Sequence, residues 1–493
     1  MSDFAAPAAE RRADQHFPLK LATCIGLAAA ADFLFYGQRL GLSVTIFVVA
    51  LIFISLALNH ALIDRKRATI AGIIVVAGLL PIVEDPNVLS FLFVVLATTS
   101  AVALLTNPEL TGPRRWVSAL FQLLVLGPLR LPPDTARVVR GPALARELMR
   151  WCVPLTFGAV FVILFARANP VIEQWLTALY QDRTDMHFDP LRALFWVVVL
   201  LAVWPFLQLR WRHKANRVPE SLAFPIHSSD VSSDVTALFS PPAVLRSLIL
   251  FNLLFAVQTT LDLVYLWGHA ALPDGMTYAA YAHRGAYPLI LTALLAAAFV
   301  LIAGRPDDAT QPRVIRPLVY LWIGQNVMLV LSAILRLKLY VGIYLLTYWR
   351  VAAGIWMGLV AIGLVLIMAR IALDRSHRWL IRVNLLAVIA TLYVCSLINF
   401  DAIIANYNVA HSWEAGGRGA TIDDLYLASL GLQSLPALQR TIQLRKSDRL
   451  LVASCERLRT LQESNMASWK TWSFRGFRLQ RYLDTHPVCS AAD

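Results

Sequence analysis

Gln258 and Asp262 stand one helical turn apart in QTTLDLVYLWG, residues 258–268, inside an apolar run that begins near Val244. A carboxylate and an amide on one face can pair with a guanidinium, orient a polar ligand or carry a proton. In a membrane helix such a group is costly, and it faces a protein interior or a wet cavity. Suitable partners occur downstream. Gln325, Leu329, Ser332 and Arg336 fall at i, i+4, i+7 and i+11, one helical face with a single apolar member. Arg284, Arg350, Asn399 and Asp401 sit at the ends of neighbouring apolar runs. The expectation is a polar cluster of Gln258, Asp262, Arg284, Gln325, Arg336, Arg350, Asn399 and Asp401, with Asp262 paired to Arg336 or Arg350. Arginines in that setting can clamp an anion. The plainer reading is that Arg284, Arg336, Lys338 and Arg350 snorkel to lipid headgroups and Asp262 only locks helices together.

Other chemistry is thinly represented. No phosphate loop, HExxH zinc helix, CxxC pair or GxSxG elbow occurs, so no cofactor, metal or catalytic residue is expected. QDRTDMHFDP (181–190) offers Asp182, Asp185, His187 and Asp189 in a spacing that matches no cation loop, and reads as a solvated acidic loop. Gly354 and Gly358 form a GxxxG, which suits close helix packing. Tyr340, Tyr344, Tyr348 and Trp349 read as an aromatic belt in a connection between two spans.

The elements that must position these residues follow from composition. Of 493 residues 58% are hydrophobic and 15% charged, with a mean hydropathy of +0.60; soluble domains carry about 25% charged residues. Runs of about 20 apolar residues suit bilayer helices, and eleven are read: 20–37, 42–60, 68–84, 89–106, 149–167, 191–209, 244–267, 286–304, 316–336, 350–370 and 379–399. Alternate connections hold 25 Lys/Arg on one side and 8 on the other, which places the N-terminus and the basic connections in the cytoplasm. The net charge of +13 is then topology signal, and no nucleic-acid partner is needed. The first apolar run is expected to be kept as a span rather than removed as a leader. Residues 116–131, with arginines at both ends and Gly127-Pro128 inside, are expected to lie in the interface or re-enter it without crossing.

Residues 400–493 read as a small helical tail outside the cytoplasm. TIDD (421–424) resembles a capping box with Thr421 capping. Pro436 should begin a second helix, and a third should cover 448–464. Cys455 and Cys489 could pair there, or Cys455 could be core, since Leu451, Cys455 and Leu458 form one stripe. The end, SWKTWSFRGFRLQRYL (468–483), mixes aromatics with Lys/Arg and should dock on the membrane surface or on the protein's own helices.

FNLLFAVQTTLDLVYLWGHAALPDGMTYAAYAHRGAYPLI (251–290), the block from Ile315 to Met357 with its RLKLY, and DDLYLASL (423–430) resemble domain-of-unknown-function family 4173. The resemblance implies a bacterial plasma-membrane protein and supplies no catalytic residue. Where the resemblance implies a Gly before Leu-Thr, this chain reads YLLTYWR, with Leu345 in its place, which puts the local turn in doubt. The expected architecture is all-α: a polytopic bundle of about eleven spans with a small helical extracytoplasmic C-terminal domain. Its parts are 1–106 (four spans), 107–148 (basic, with the interfacial helix), 149–243 (two spans and a linker), 244–399 (a five-span core) and 400–493 (the tail). The expected role is a binding, assembly or sensing module of the bacterial inner membrane. Its partners would be the lipid bilayer and either anionic headgroups or an envelope protein. A transporter or enzyme for an anionic or lipid-linked substrate is the alternative.

Overall fold

The computed structural model describes residues 17–59, 64–107, 110, 112–132, 134–135, 189–209, 211, 241–268, 314–445, 449–486 and 489. Among them every regular element is helical. Two compact units emerge, one formed by 1–215 with 463–481 and the other by 216–462 with 482–493.

The first unit contains α1 (Phe17–Phe35), α2 (Leu42–Leu58), α3 (Arg65–Glu84), α4 (Val88–Thr106), α5 (Pro113–Phe121) and α6 (Pro190–Leu207). Their core gathers Phe17, Cys24, Val48, Leu51, Ile82, Val94 and Trp204. Outward they present large apolar groups such as Phe53 and Val76, at 70% and 69% exposure, which water would not tolerate and lipid would. Polar contacts sort the helix ends. At one end Lys20 Nζ donates to Asn59 Oδ1 at 3.2 Å and to Gln208 Oε1 at 2.9 Å, and Arg67 caps the α4 carbonyls of Leu104 and Asn107. At the other end Arg192 grips Asp32 at 2.5 Å and Tyr36 donates to Asp189. Asn107 and Asp189 therefore lie at opposite ends of this unit.

α5 continues through a wide turn (Gln122–Leu126) and a tight one (Pro128–Arg130). Ala119 and Leu123 pack on Ala71 and Ala101–Leu105. Gly127 abuts Pro205 so closely that a Cβ there would stand 2.5 Å from the Pro205 Cβ. These partners all belong to the Lys20–Gln208 end, so the segment lies at one end of the helices and does not traverse them. The expected span 149–167 lies outside the described residues.

The second unit contains α7 (Pro241–Leu261, prolonged by a wide turn over Asp262–Trp267), α8 (Ile315–Tyr344), α9 (Tyr348–Ala372) and α10 (His377–Leu397). Its core includes Leu248, Trp322, Val330, Met357 and Leu364. Among the described residues six helices, α1, α3, α4, α8, α9 and α10, are long and apolar enough to cross a membrane, and α2, α6 and α7 are shorter apolar helices. That set suits a multi-pass membrane protein. Nine of the eleven expected spans fall on described helices; 149–167 and 286–304 do not. α8 is longer than expected, so Tyr340 and Tyr344 belong to its last turns and not to a connection. Arg350, reaching the Tyr344 carbonyl at 2.6 Å, satisfies a C-terminal acceptor there.

The tail follows α10 as α11 (Phe400–His411), α12 (Asp424–Ser429), α13 (Leu435–Arg445), α14 (Arg449–Met466) and α15 (Phe474–Thr485). The cap of α12 is Asp423, which accepts from the Tyr426 N–H at 2.9 Å, and not Thr421. Asp424 is turned instead to Arg445 at 2.5 Å, since one carboxylate must cap and the other is free to pair. Cys455 and Cys489 form a disulfide, and Cys455 is also fully buried on the stripe with Leu451. Pairing and core packing, alternatives in the sequence, coincide. Residues 469–478 dock on the protein's own helices: the Leu42 N–H donates to the Trp472 carbonyl at 2.9 Å, and Arg475 reaches Glu84 and Asp85 at 3.4 and 3.0 Å. This places them at the same end as the α1–α2 and α3–α4 connections.

Among the described residues Gly354 meets only Leu337 Cδ2 at 3.5 Å, and Gly358 has no neighbour within 4 Å. The close approach is at Gly78, where a Cβ would lie 2.1 Å from the Ala97 Cβ; α3 and α4 pack there backbone to backbone.

Candidate functional site

α7 and α8 run parallel, and a polar seam records it. Asn252 Nδ2 donates to the Leu318 carbonyl at 3.2 Å, Gln325 Nε2 to the Asn252 carbonyl at 3.2 Å, and Arg336 pairs with Asp262. From Asn252 to Asp262 the rise is ~15 Å and from Gln325 to Arg336 ~16 Å, so both contacts fit one register. Gln258 Nε2 donates to Asp262 Oδ1 at 3.0 Å. Asp262 and Arg336 are 1% and 3% exposed, an ion pair held wholly inside the bundle.

The wide turn at 262–267 has a geometric consequence. In a regular helix Asp262 and Trp267, five positions apart, would point about 140° away from each other. A turn closed by i to i+5 bonds brings them to nearly one face, and Trp267 Nε1 donates to Ser332 Oγ at 3.2 Å. One local expansion thus gives α8 both a charge partner and a hydrogen-bond donor.

The second set of residues lies where α8 turns into α9. Leu345 has φ 63° and ψ −177°, a region that only glycine visits freely. The resemblance implied glycine at this position. The side chain is nevertheless buried, and it fits because Gly419 has no side chain: a Cβ there would stand 2.5 Å from Leu345 Cδ2. Around it the tail closes on the turn. Asn408 Oδ1 accepts the Leu346 N–H at 2.7 Å while its Nδ2 donates to the Leu346 carbonyl at 2.9 Å. The Ala420 N–H donates to the Ile343 carbonyl at 2.8 Å, and the Tyr348 N–H to the Tyr426 hydroxyl at 3.0 Å. Tyr348 donates to Asp401. Arg350 binds the Tyr344 and Leu345 carbonyls and lies 4.8 Å from the Tyr340 ring centroid. Asn399 caps α11 at Ala402 N–H and donates to Gln433 at 3.0 Å.

The eight expected site residues therefore divide. Gln258, Asp262 and Arg336 form one group, and Gln325 belongs to the same seam deeper in. Arg350, Asn399 and Asp401 belong to the loop and tail clamp, and Arg284 lies outside the described residues. Arg350 is not the partner of Asp262. Asn408 is a functional residue that no motif in the sequence marks; the signal for its role is the missing glycine before Leu346, which announces a turn that needs outside support. Below the clamp, Arg445 Nη2 binds Glu414 at 2.6 Å and the Ile422 carbonyl at 2.8 Å. Burial would raise the Glu414 carboxyl, but the hydrogen bonds from Arg445 and the Ile422 N–H outweigh it and hold the group below its ordinary value of 4.5. Arg445 is correspondingly held above its own, burial again opposing and the two carboxylates prevailing. No group of three or more His, Cys, Asp or Glu arranged for a metal occurs among the described residues.

A family model described as a domain of unknown function (DUF4153) matches residues 71–441, about three-quarters of the chain. The chain belongs to the DUF4153 family. The match covers the seam, the clamp and the α3–α4 approach of this DUF4153 chain, and stops short of residues 442–493. The resemblance in the sequence also pointed to a domain of unknown function, but family 4173 is not what the match shows. No curated protein and no solved structure matches the chain.

Proposed function

We propose that this DUF4153 chain is a multi-pass protein of the bacterial inner membrane, with its N-terminus in the cytoplasm and its tail outside. In this reading it acts as a binding, assembly or sensing module. The observation that carries the reading is the clamp. The tail holds a turn whose backbone is unfavourable for Leu345, and that turn is the end of α8, the helix that carries Arg336 to Asp262. A contact made on the outer tail has one continuous helix through which to act on a buried charge pair. A strained turn held by outside partners stores about 1–3 kcal/mol, which a sensing element can draw on when those partners are released.

The basic bias of alternate connections supports the orientation, and the disulfide suits an oxidising compartment. The test is complementation of a deletion strain under envelope stress. Asn408→Ala and the double variant Asp262→Leu with Arg336→Leu should each fail to restore growth while reaching the membrane in normal amounts. Full complementation by both would contradict the reading.

A transporter or enzyme for an anionic or lipid-linked substrate is favoured by one observation. Asn252 Oδ1, Gln325 Oε1 and Asn326 Oδ1 are buried without a hydrogen-bond donor among the described residues, which a polar solute could satisfy. Uptake of such a solute by reconstituted vesicles would favour it over the sensing role.

A further inference from the structure

Residues 469–478 carry a surface that the clamp and the seam leave unused. Trp469, Phe474 and Phe477 are exposed, with Lys470 and Arg478 among them. Lys470 Nζ donates to the Phe33 carbonyl at 2.8 Å and lies 3.6 Å from the Phe33 ring centroid. Phe33 is 65% exposed in the last turns of α1, one of the helices able to cross a membrane. The ammonium therefore rests against the apolar flank of that helix at its end. Arg478 lies 4.9 Å from the Phe474 ring centroid and donates to Glu84. Arg475 on Glu84 and Asp85 and the Leu42 bond to Trp472 pin the segment, so its exposed rings and Lys470 are held in a fixed pose.

Aromatic rings beside Lys and Arg at the end of an apolar helix match the headgroup layer, where rings enter the acyl boundary and cations meet phosphate. Arg478 already has Glu84, whereas among the described residues Lys470 meets a carbonyl and a ring and no carboxylate. We propose that residues 469–478 form a seat for an anionic phospholipid headgroup, with Lys470 as the principal phosphate contact and Trp469, Phe474 and Phe477 at the acyl boundary. The proposal rests on the membrane reading above, but it holds in either leaflet.

The test uses the full chain with Phe477 replaced by p-benzoylphenylalanine, in nanodiscs of equal phosphatidylcholine and phosphatidylglycerol. After irradiation, lipid adducts are identified by mass spectrometry. Phosphatidylglycerol adducts should exceed phosphatidylcholine adducts by about fivefold, the factor expected for one basic side chain near an anionic surface. Lys470→Gln should bring the ratio back to that of the bilayer. Adducts in the bulk ratio in the chain that keeps Lys470, crosslinks to a second protein in place of lipid, or enrichment unchanged by Lys470→Gln would each overturn the proposal. Because lipid contact is read without regard to leaflet, a failure here is separate from a failure of the proposed orientation.

Discussion

Asp262 and Arg336 are each other's partners in a bundle where neither meets water, and this decides how single substitutions behave. Removing one member of a buried ion pair costs about 3–5 kcal/mol, whereas replacing both by apolar residues is often neutral. Asp262→Ala and Arg336→Ala should each lower the thermal unfolding temperature in micelles sharply, and Asp262→Leu with Arg336→Leu should recover most of the loss. A double variant as unstable as the sum of the two singles would show that the pair is not a unit. Leu345 is the other residue of consequence. Its backbone costs ~1–3 kcal/mol, offset by its buried side chain and by the two hydrogen bonds that Asn408 makes to Leu346. At this scale the sequence was informative about types and poor about partners. Four-residue spacing put Gln258 beside Asp262, and helical phase put Arg336 on a polar face. The choice of Arg336 over Arg350 depends on where α8 ends, and that end is weakly encoded because apolar residues continue past the expected boundary at Arg336, as Leu339–Tyr344 do.

Among the described helices α3 and α4 approach closely at Gly78, where a Cβ would lie 2.1 Å from the Ala97 Cβ, a position that no GxxxG marks. Gly78→Ala should destabilise the α3–α4 pair by about 1–3 kcal/mol through overpacking, while Gly358→Ala should be neutral or stabilising by up to about 1 kcal/mol through helix propensity. Thermal unfolding in micelles checks both, and equal effects would contradict the assignment of the close approach. The tail adds a titratable element. Glu414 is held below its ordinary value of 4.5 when folded, so its stabilisation is complete above that pH and fades as the pH falls through the lower folded value. The tail should therefore loosen in acid. Glu414→Gln should be less stable at neutral pH and should show a flatter pH profile by thermal unfolding; an unchanged profile would remove Glu414 from the account. Helices were legible here as apolar runs, and α13 and α14 as amphipathic ones. The α12 cap was misplaced by two residues because TIDD offers three candidate caps, and only the pairing of Asp424 with Arg445 leaves Asp423 for the job.

Across the whole molecule, the ends of the helices carry the functional argument. Within the first unit the connections at 36–41 and 84–87, the start of α6 and residues 469–478 share one end, and Lys20, Asn59, Asn107, α5 and Gln208 share the other. Charge bias in the sequence sorts these connections into the same two groups, because each crossing inverts the side and basic residues resist translocation. The docking of 469–478 was legible only as a tendency, since Arg475 meets Glu84 and Asp85 across nearly 400 residues of chain. The most direct test of the account is labelling of the full-length chain in intact right-side-out cells with a membrane-impermeant maleimide, against the unsubstituted chain. Arg39→Cys and Leu425→Cys, both at exposed positions, should react without lysis, and Lys66→Cys, also exposed, only after it. Labelling of Lys66→Cys in intact cells, with Leu425→Cys protected, would contradict the orientation and with it the outer clamp.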